Sequence, residues 1–394
     1  MQPREFVHEI YSVGYVDWNR RLFDALIPLP DGTSYNSYLI KGSEKTALID
    51  TVDREVPESI LKNLESMGIK QIDYLVCNHA EPDHSGAIPH VLAKYPAAVV
   101  VCTERCKSML IDLFGIAADK FKVVGDKETI SLGNRTLEFI HLPWVHWPET
   151  MGTYLKEDKI LFSCDFLGSH LAATDLFVTD EGKMLEAAKR YYAEIMMPFR
   201  ANIQKNLEKL QGYEFKIIAP SHGPMHDKPS VILNAYHAWA YDEPHNIVVI
   251  PYTSMHGSTK KMVDYLVSAL AQRSVKVEEF ELSATDIGKL AIALVDAGTI
   301  VIGTPTVLTQ PHPIVLYAAL LANALKPKAK FATVIGSYGW GGKAVETIAG
   351  SIPNLKVEVL TPVYIKGQPK DADYQALDVL AETIARKHKE AGFK

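Results

Sequence analysis

Apolar residues recur along this chain in short, nearly unbroken runs separated by polar strings, and the period of those runs predicts most of its elements. In the first part, Ser34–Ile40 and Thr46–Ile49 flank the turn-like KGSEK and read as an early hairpin. Val56–Met67 has the spacing of an amphipathic helix that stops at Gly68. Ile72–Val76 is a short strand that runs straight into the polar string NHAEPDHSG. Ile88–Tyr95 reads as a helix and Ala97–Cys102 as a strand. After Gly115 come short strands at Phe121–Val124, Thr136–His141, Met151–Leu155 and Lys159–Ser163. Helices follow at Met184–Met196 and Ile203–Leu210, then a strand at Phe215–Ala219 that ends in PSHGP. Two packed sheets with helices outside accommodate this order, an αββα sandwich. The polar strings fall just after apolar strands, where α/β folds build their sites.

The pattern changes at Ala240–Asn246, a polar segment containing a proline, and a domain boundary is expected there: 1–245, then 246–394. Beyond it strands (Ile247–Pro251, Val275–Glu281, Thr299–Gly303, Phe331–Gly336, Lys356–Val363) alternate with helices (Thr259–Gln272, Ala284–Ala297, Ile314–Leu325, Ala344–Gly350, Ala372–Lys389). Strands of almost continuous apolar character alternating with helices describe a doubly wound parallel sheet covered on both faces.

Charge and composition narrow the function classes. The formal net charge of −6 has no basic concentration, which argues against nucleic acid as a partner. No apolar run reaches membrane-spanning length and the N-terminus lacks a signal-peptide core, so a cytoplasmic protein is expected. Four cysteines are too few for a disulfide scaffold. Cys102 and Cys106 form a C-x3-C pair, a poor match to a zinc knuckle or redox pair. Cys164 is expected, by strand alternation, to face away from Asp165.

His79, Glu81, Asp83 and His84 put four potential metal ligands into six residues on a loop leaving a strand. His146 (in WVHWPE), Asp165 (in SCDFLG) and His222 (in PSHGP) each follow or end an apolar stretch and can reach the same rim. One loop histidine is ordinarily a cap or a wet surface group; this concentration is not. Imidazole and carboxylate ligands without thiolate suit iron or manganese as well as zinc. His170 is a candidate hydrogen-bond partner behind the ligands.

The second half carries another constellation. Thr253, Ser254, Met255, His256, Gly257, Ser258 and Thr259 follow its first strand and open a helix, a combination that favours a phosphate. The string is neither GxGxxG nor a Walker loop. Pro305 and Thr306 lie at the third strand end. Ser337, Tyr338, Gly339, Trp340, Gly341 and Gly342 lie at the fourth, with aromatic faces for a flat ring and glycines that let the backbone approach it.

The spacing His79-x-Glu81-x-Asp83-His84 resembles the metallo-β-lactamase superfamily, with glutamate in place of its second histidine. That departure, with DWN at 17–19, TSYNSYL at 33–39 and HWPETM at 146–151, resembles the flavodiiron proteins, or A-type flavoproteins. The resemblance implies a metallo-β-lactamase-like domain followed by a flavodoxin-like domain, with two irons and FMN. It assigns His79, Glu81 and His146 to one iron, Asp83, His84 and His222 to the other, and Asp165 to both. It also implies a head-to-tail homodimer or a dimer of dimers, with Trp147 lining the passage between sites. Rubredoxin or reduced coenzyme F420 would donate electrons, since no rubredoxin module is expected within this chain. The implied activity is O2 reduction to water, with NO reduction to N2O as the alternative; a zinc hydrolase fits Glu81 and the flavodoxin-like half less well. The segment Val307–Pro313 departs from the family's polar loop.

Overall fold

The computed structural model describes residues 2–394 and divides into two compact units. The first runs through Tyr192 and resumes at Phe199–Ala240; the second comprises Ala193–Pro198 and Tyr241–Lys394.

The first unit is built on two sheets. One has the strand order Arg4–Val7, Ile10–Ser12, Tyr38–Lys41, Thr46–Ile49, Tyr74–Val76, Val99–Cys102, Phe121–Val123. The other has the order Thr129–Ser131, Thr136–His141, Met151–Leu155, Ile160–Cys164, Ile217–Pro220. Alternation along the first sheet explains its apolar runs. Tyr38, Ile40, Ala47, Ile49 and Val101 point into a core shared with Leu137, Phe139, Leu155 and Phe162 of the second sheet. Leu39, Leu48, Val100 and Cys102 point the other way, into a core with Ile60, Leu64, Ile88, Val91 and Leu110 of the helices Pro57–Ser66, Ile88–Lys94 and Glu104–Phe114. Both faces of the sheet are therefore dry, and its strands have no polar alternation to show. This is the metallo-β-lactamase-like sandwich.

The expected strand Ser34–Ile40 is broken. Thr33–Tyr35 pairs with Tyr15–Asp17, and only Tyr38–Lys41 joins the hairpin with Thr46–Ile49. Asn36 causes the break: its backbone N–H donates to the Ser221 carbonyl, and Nδ2 donates to the carbonyls of Pro220 and Gly223. The chain leaves the ladder there to hold the loop that carries His222.

The second unit is a parallel sheet in the order Lys276–Glu281, Ile247–Tyr252, Thr299–Val307, Phe331–Tyr338, then Glu358–Val359 and Val363–Lys366. Val248, Ile250 and Tyr252 pack with Met262, Leu266, Leu377 and Ile384 from the helices Ser258–Ala271 and Asp371–Glu390. The order second-first-third-fourth-fifth is that of flavodoxin-like folds, whose ligands bind where the winding direction reverses. The expected last strand, Lys356–Val363, is in fact two short pieces, because the segment between Val359 and Val363 leaves the ladder at Thr361–Pro362 and proline cannot donate to it. No helix among the described residues is long and apolar enough to cross a membrane.

Candidate metal centre and cofactor cleft

Three of the candidate ligands sit just past strand ends. His79 follows Tyr74–Val76, Asp165 follows Ile160–Cys164, and His222 follows Ile217–Pro220. Pro82 opens the short helical turn Pro82–Ser85, whose pitch turns Asp83 and His84 inward. The structure brings all seven residues together in two groups: His79, Glu81, His146 and Asp165, and Asp83, His84 and His222.

Asp165 joins them. Its Oδ2 lies 3.3 Å from His79 Nε2 and 3.2 Å from His146 Nε2. Its Oδ1 lies 2.8 Å from His84 Nε2 and 3.5 Å from His222 Nε2. Glu81 Oε2 completes the first group at 3.0 Å from His146 Nε2 and 3.2 Å from His79 Nε2. Asp83 Oδ2 completes the second at 3.1 Å from His222 Nε2. The backbone carries Asp50 at the same rim, where its carboxylate accepts from the Asn78 N–H at 2.7 Å and fixes the start of the loop.

Two imidazoles are oriented from behind. His79 Nδ1 lies 2.7 Å from Glu149 Oε1, which also accepts from the Ala80 N–H. His222 Nδ1 donates to the Ser34 carbonyl at 2.6 Å. Each bond places the ring proton on Nδ1 and turns the Nε2 lone pair toward the carboxylates, the arrangement a metal ligand needs. Glu149 and Ser34 were not among the expected site residues. Glu149 lies within HWPETM and Ser34 within TSYNSYL, so only the family resemblance pointed near them.

The donor set fits cations. Both oxygens of Asp83 and of Asp165, and both ring nitrogens of His84, are buried with no hydrogen-bond partner. Buried polar atoms are ordinarily satisfied, and lone pairs converging without protons mark a position for a cation. Three carboxylates, Glu81, Asp83 and Asp165, are buried within the two groups, a concentration of negative charge that divalent cations offset. The electrostatics agree. Burial works against a charged His146, but Asp165 and Glu81 raise its pKa to about 9. Burial likewise opposes a charged His84, and Asp165 and Asp83 raise it to about 9. Burial would raise Glu81, yet the His146 and His79 imidazoles beside it hold its pKa well below the carboxylate range. The pocket as a whole demands positive charge.

Cys164 departs from expectation. Its φ of 53° turns the backbone at the strand end, so its sulfur joins His84 and Asp165 in a group within 4.8 Å rather than facing away. Burial pushes its thiol well up, and Ser221 Oγ lies 3.4 Å from Sγ. A protonated thiol is a poor ligand. All four cysteines are buried and free. Trp147 packs edge-on against His79, with ring centroids 4.9 Å apart.

In the second unit a cavity of about 260 Å³ lies at the strand ends, lined by Ser254, Met255, His256, Ser258, Thr259, Pro305, Thr306, Ser337, Tyr338 and Gly339. Gly367, which the sequence did not single out, also lines it. Thr253 stands behind it, donating to Glu281 at 2.8 Å, and Trp340 is 78% exposed beyond its edge. Gly257, Gly341 and Gly342 are not among the lining residues. Gly257 caps the helix Ser258–Ala271 at a φ of 85° with no side-chain cap, and the Thr259 hydroxyl is buried without a partner. Free N–H groups and an orphaned hydroxyl at a helix N-terminus suit a phosphate. The Val307–Pro313 segment forms a tight hairpin in which Thr306 and Val307 pair with Pro311 and Gln310 around Leu308 and Thr309. The turn residues have φ of 48° and 67°, and the Leu308 side chain is exposed.

Replacing Glu149 by Gln removes the charge that holds the His79 proton. Metal affinity is expected to fall about 10–100-fold, the usual effect of losing such a partner, while the fold persists. Competition with a chelator measures it; unchanged metal retention would refute the orienting role.

A family model described as ODP family beta lactamase matches residues 33–223. The nitric oxide reductase of Moorella thermoacetica is 35% identical, with the alignment covering 98% of this chain and 98% of that protein. Among solved structures, the rubredoxin oxygen:oxidoreductase of Desulfovibrio gigas superposes with a TM-score of 0.94 at 31% identity, covering 99% of both chains. The flavodiiron protein of Giardia intestinalis superposes with a TM-score of 0.91 at 28% identity, covering 100% of this chain and 99% of that one. With both units, their order and the grouped ligands in agreement, this chain belongs to the flavodiiron proteins and is an oxidoreductase of that family.

Proposed function

We propose that the chain reduces O2 to water at a diiron centre, with electrons relayed through FMN. His79, Glu81 and His146 hold one iron, Asp83, His84 and His222 the other, and Asp165 bridges them. The carrying observation is Asp165, whose two oxygens are divided between two imidazole groups. A single-metal hydrolase has no use for that division. Two irons held there would supply one electron each, and FMN in the second unit would supply the further two that O2 needs to reach water. The chain's residues do the rest. Glu149 and the Ser34 carbonyl keep His79 and His222 in one tautomer. Buried walls from Phe23 and Tyr191 exclude bulk water from the His222 side. Thr259 and the helix N-terminus behind Gly257 take the flavin phosphate, and Tyr338 supports the ring region through its stacking on Tyr364.

Reduction of NO to N2O is the second reading, favoured by the relative from Moorella thermoacetica that bears the name nitric oxide reductase. The working form is a head-to-tail homodimer, or a dimer of such dimers, in which the flavin of one chain serves the metal centre of its partner. Rubredoxin is the donor, with reduced coenzyme F420 as the alternative.

Protein purified without added metal should carry two irons and one FMN per chain. Reduced through rubredoxin, it should consume O2 faster than NO at matched concentrations and release water. Faster NO loss with stoichiometric N2O would replace the substrate assignment. A single zinc with no iron would overturn the reading altogether.

A further inference from the structure

Resting on the diiron reading, we propose that His170 presents an Nε2–H donor to the small molecule reacting at the metal centre, and that Thr33 fixes this tautomer. The ring lies beside the ligands and is not one of them. Its centroid is 4.6 Å from that of His222, 4.8 Å from Tyr191 and 5.2 Å from Phe23. Two backbone bonds lock the turn that carries it, Gly168 N–H to the Asp165 carbonyl and Ser169 N–H to the His222 carbonyl. The turn that carries the ring is thus tied to the backbone of Asp165 and of His222, two residues of the metal centre.

The position of the proton follows from competition for one carbonyl. The Ser34 carbonyl accepts from His222 Nδ1 at 2.6 Å. Thr33 Oγ1 is 3.4 Å from that same carbonyl but 2.9 Å from His170 Nδ1. In the proposed tautomer Thr33 gives its hydroxyl proton to this shorter contact and His170 Nδ1 accepts. An imidazole whose Nδ1 accepts must carry its proton on Nε2. That Nε2 is fully buried and has no partner in the protein. Phe23 has no acceptor to offer it, and the Tyr191 phenol, though it flanks the ring, does not engage it. A buried donor left unmet is costly, and a donor kept dry beside a reacting centre is worth most where negative charge develops on an oxygen. An oxygen atom of the substrate is such a partner. His170 is a catalytic residue in this sense, and Thr33 is the positioning residue behind it.

NO serves as the probe, because the N–O stretch of NO bound to reduced protein falls when its oxygen accepts a hydrogen bond. In His170→Phe the iron content should stay at the wild-type level while the stretch moves to higher frequency and turnover falls about 100-fold. His170→Gln, which keeps an N–H near the Nε2 position, should bring the band back toward wild type. Thr33→Val should shift it upward at full iron content, since the tautomer is no longer held. A wild-type band in iron-replete His170→Phe overturns the proposal. If that variant fails to fold, an unmoved band in Thr33→Val overturns it equally. Failure of wild-type protein to bind iron or NO would instead bring down the diiron reading on which the proposal rests.

Discussion

Asp165→Ala is expected to yield a folded protein that keeps its flavin and loses both irons together with its activity. Among the described residues no other carboxylate pairs with both imidazole groups: Oδ2 serves His79 and His146 while Oδ1 serves His84 and His222. Removing it leaves four imidazoles facing one another, with only Glu81 and Asp83 to offset two metal charges. The loss should exceed the roughly 100-fold effect of an outer partner such as Glu149. Asp165→Asn keeps the volume and one oxygen, so comparison of the two separates charge from shape; both should be iron-poor, alanine more so. Iron analysis beside flavin absorbance tests this. Two retained irons with full turnover would reject the bridging role. Loss of one iron alone would assign Asp165 to a single metal.

The complementary result is expected from Gly336→Ala, which should empty the second unit of flavin and leave iron in the first. Gly336 pairs with Thr304 in the parallel ladder and has a φ of 156°. A Cβ there would lie 1.8 Å from the Thr304 carbonyl oxygen and 2.8 Å from a ring carbon of Tyr364. Neither neighbour can yield cheaply. One is backbone in a central strand pair, and the other hydrogen-bonds Thr306 on the cavity wall at 2.6 Å. The ladder must open where Pro305, Thr306 and Ser337 line the cleft. A backbone clash of this kind belongs with the substitutions that cost about 4 kcal/mol or more. Gly339→Ala is the control for stability, because its Cβ meets nothing within 4 Å. Thermal unfolding followed by circular dichroism, beside FMN content from absorbance, would read both. An unchanged transition and full FMN content in Gly336→Ala would show that the strands adjust without cost.

Much of this was legible along the chain. Runs that are apolar at every position mean sheets covered on both faces, and Leu39 beside Ile40, or Val100 beside Val101, are buried in opposite cores as that rule requires. Regular alternation after residue 246 foretold a parallel sheet, since parallel strands need crossover helices. Spacing also singled out the seven metal candidates, because a strand end followed by concentrated imidazole and carboxylate is hard to explain otherwise. Gly257 and Thr259 were marked by the same logic of strand, loop and helix start.

Other features depend on contacts that no local pattern encodes. The break at Asn36 arises because distant carbonyls at Pro220 and Gly223 offer its side chain better hydrogen bonds than the ladder does. Alternation placed Cys164 on the far side of its strand, and a single left-handed residue reversed that. Glu149 sits seventy positions from the imidazole it orients, and Thr33 137 positions from the one it contacts. Residue types and periods determined which elements form, which faces they bury and which side chains have the chemistry to hold metal ions. The tertiary structure alone decided which oxygen of Asp165 meets which imidazole and which partner stands behind each ring, because those are long-range contacts whose partners are chosen by the packing of two sheets.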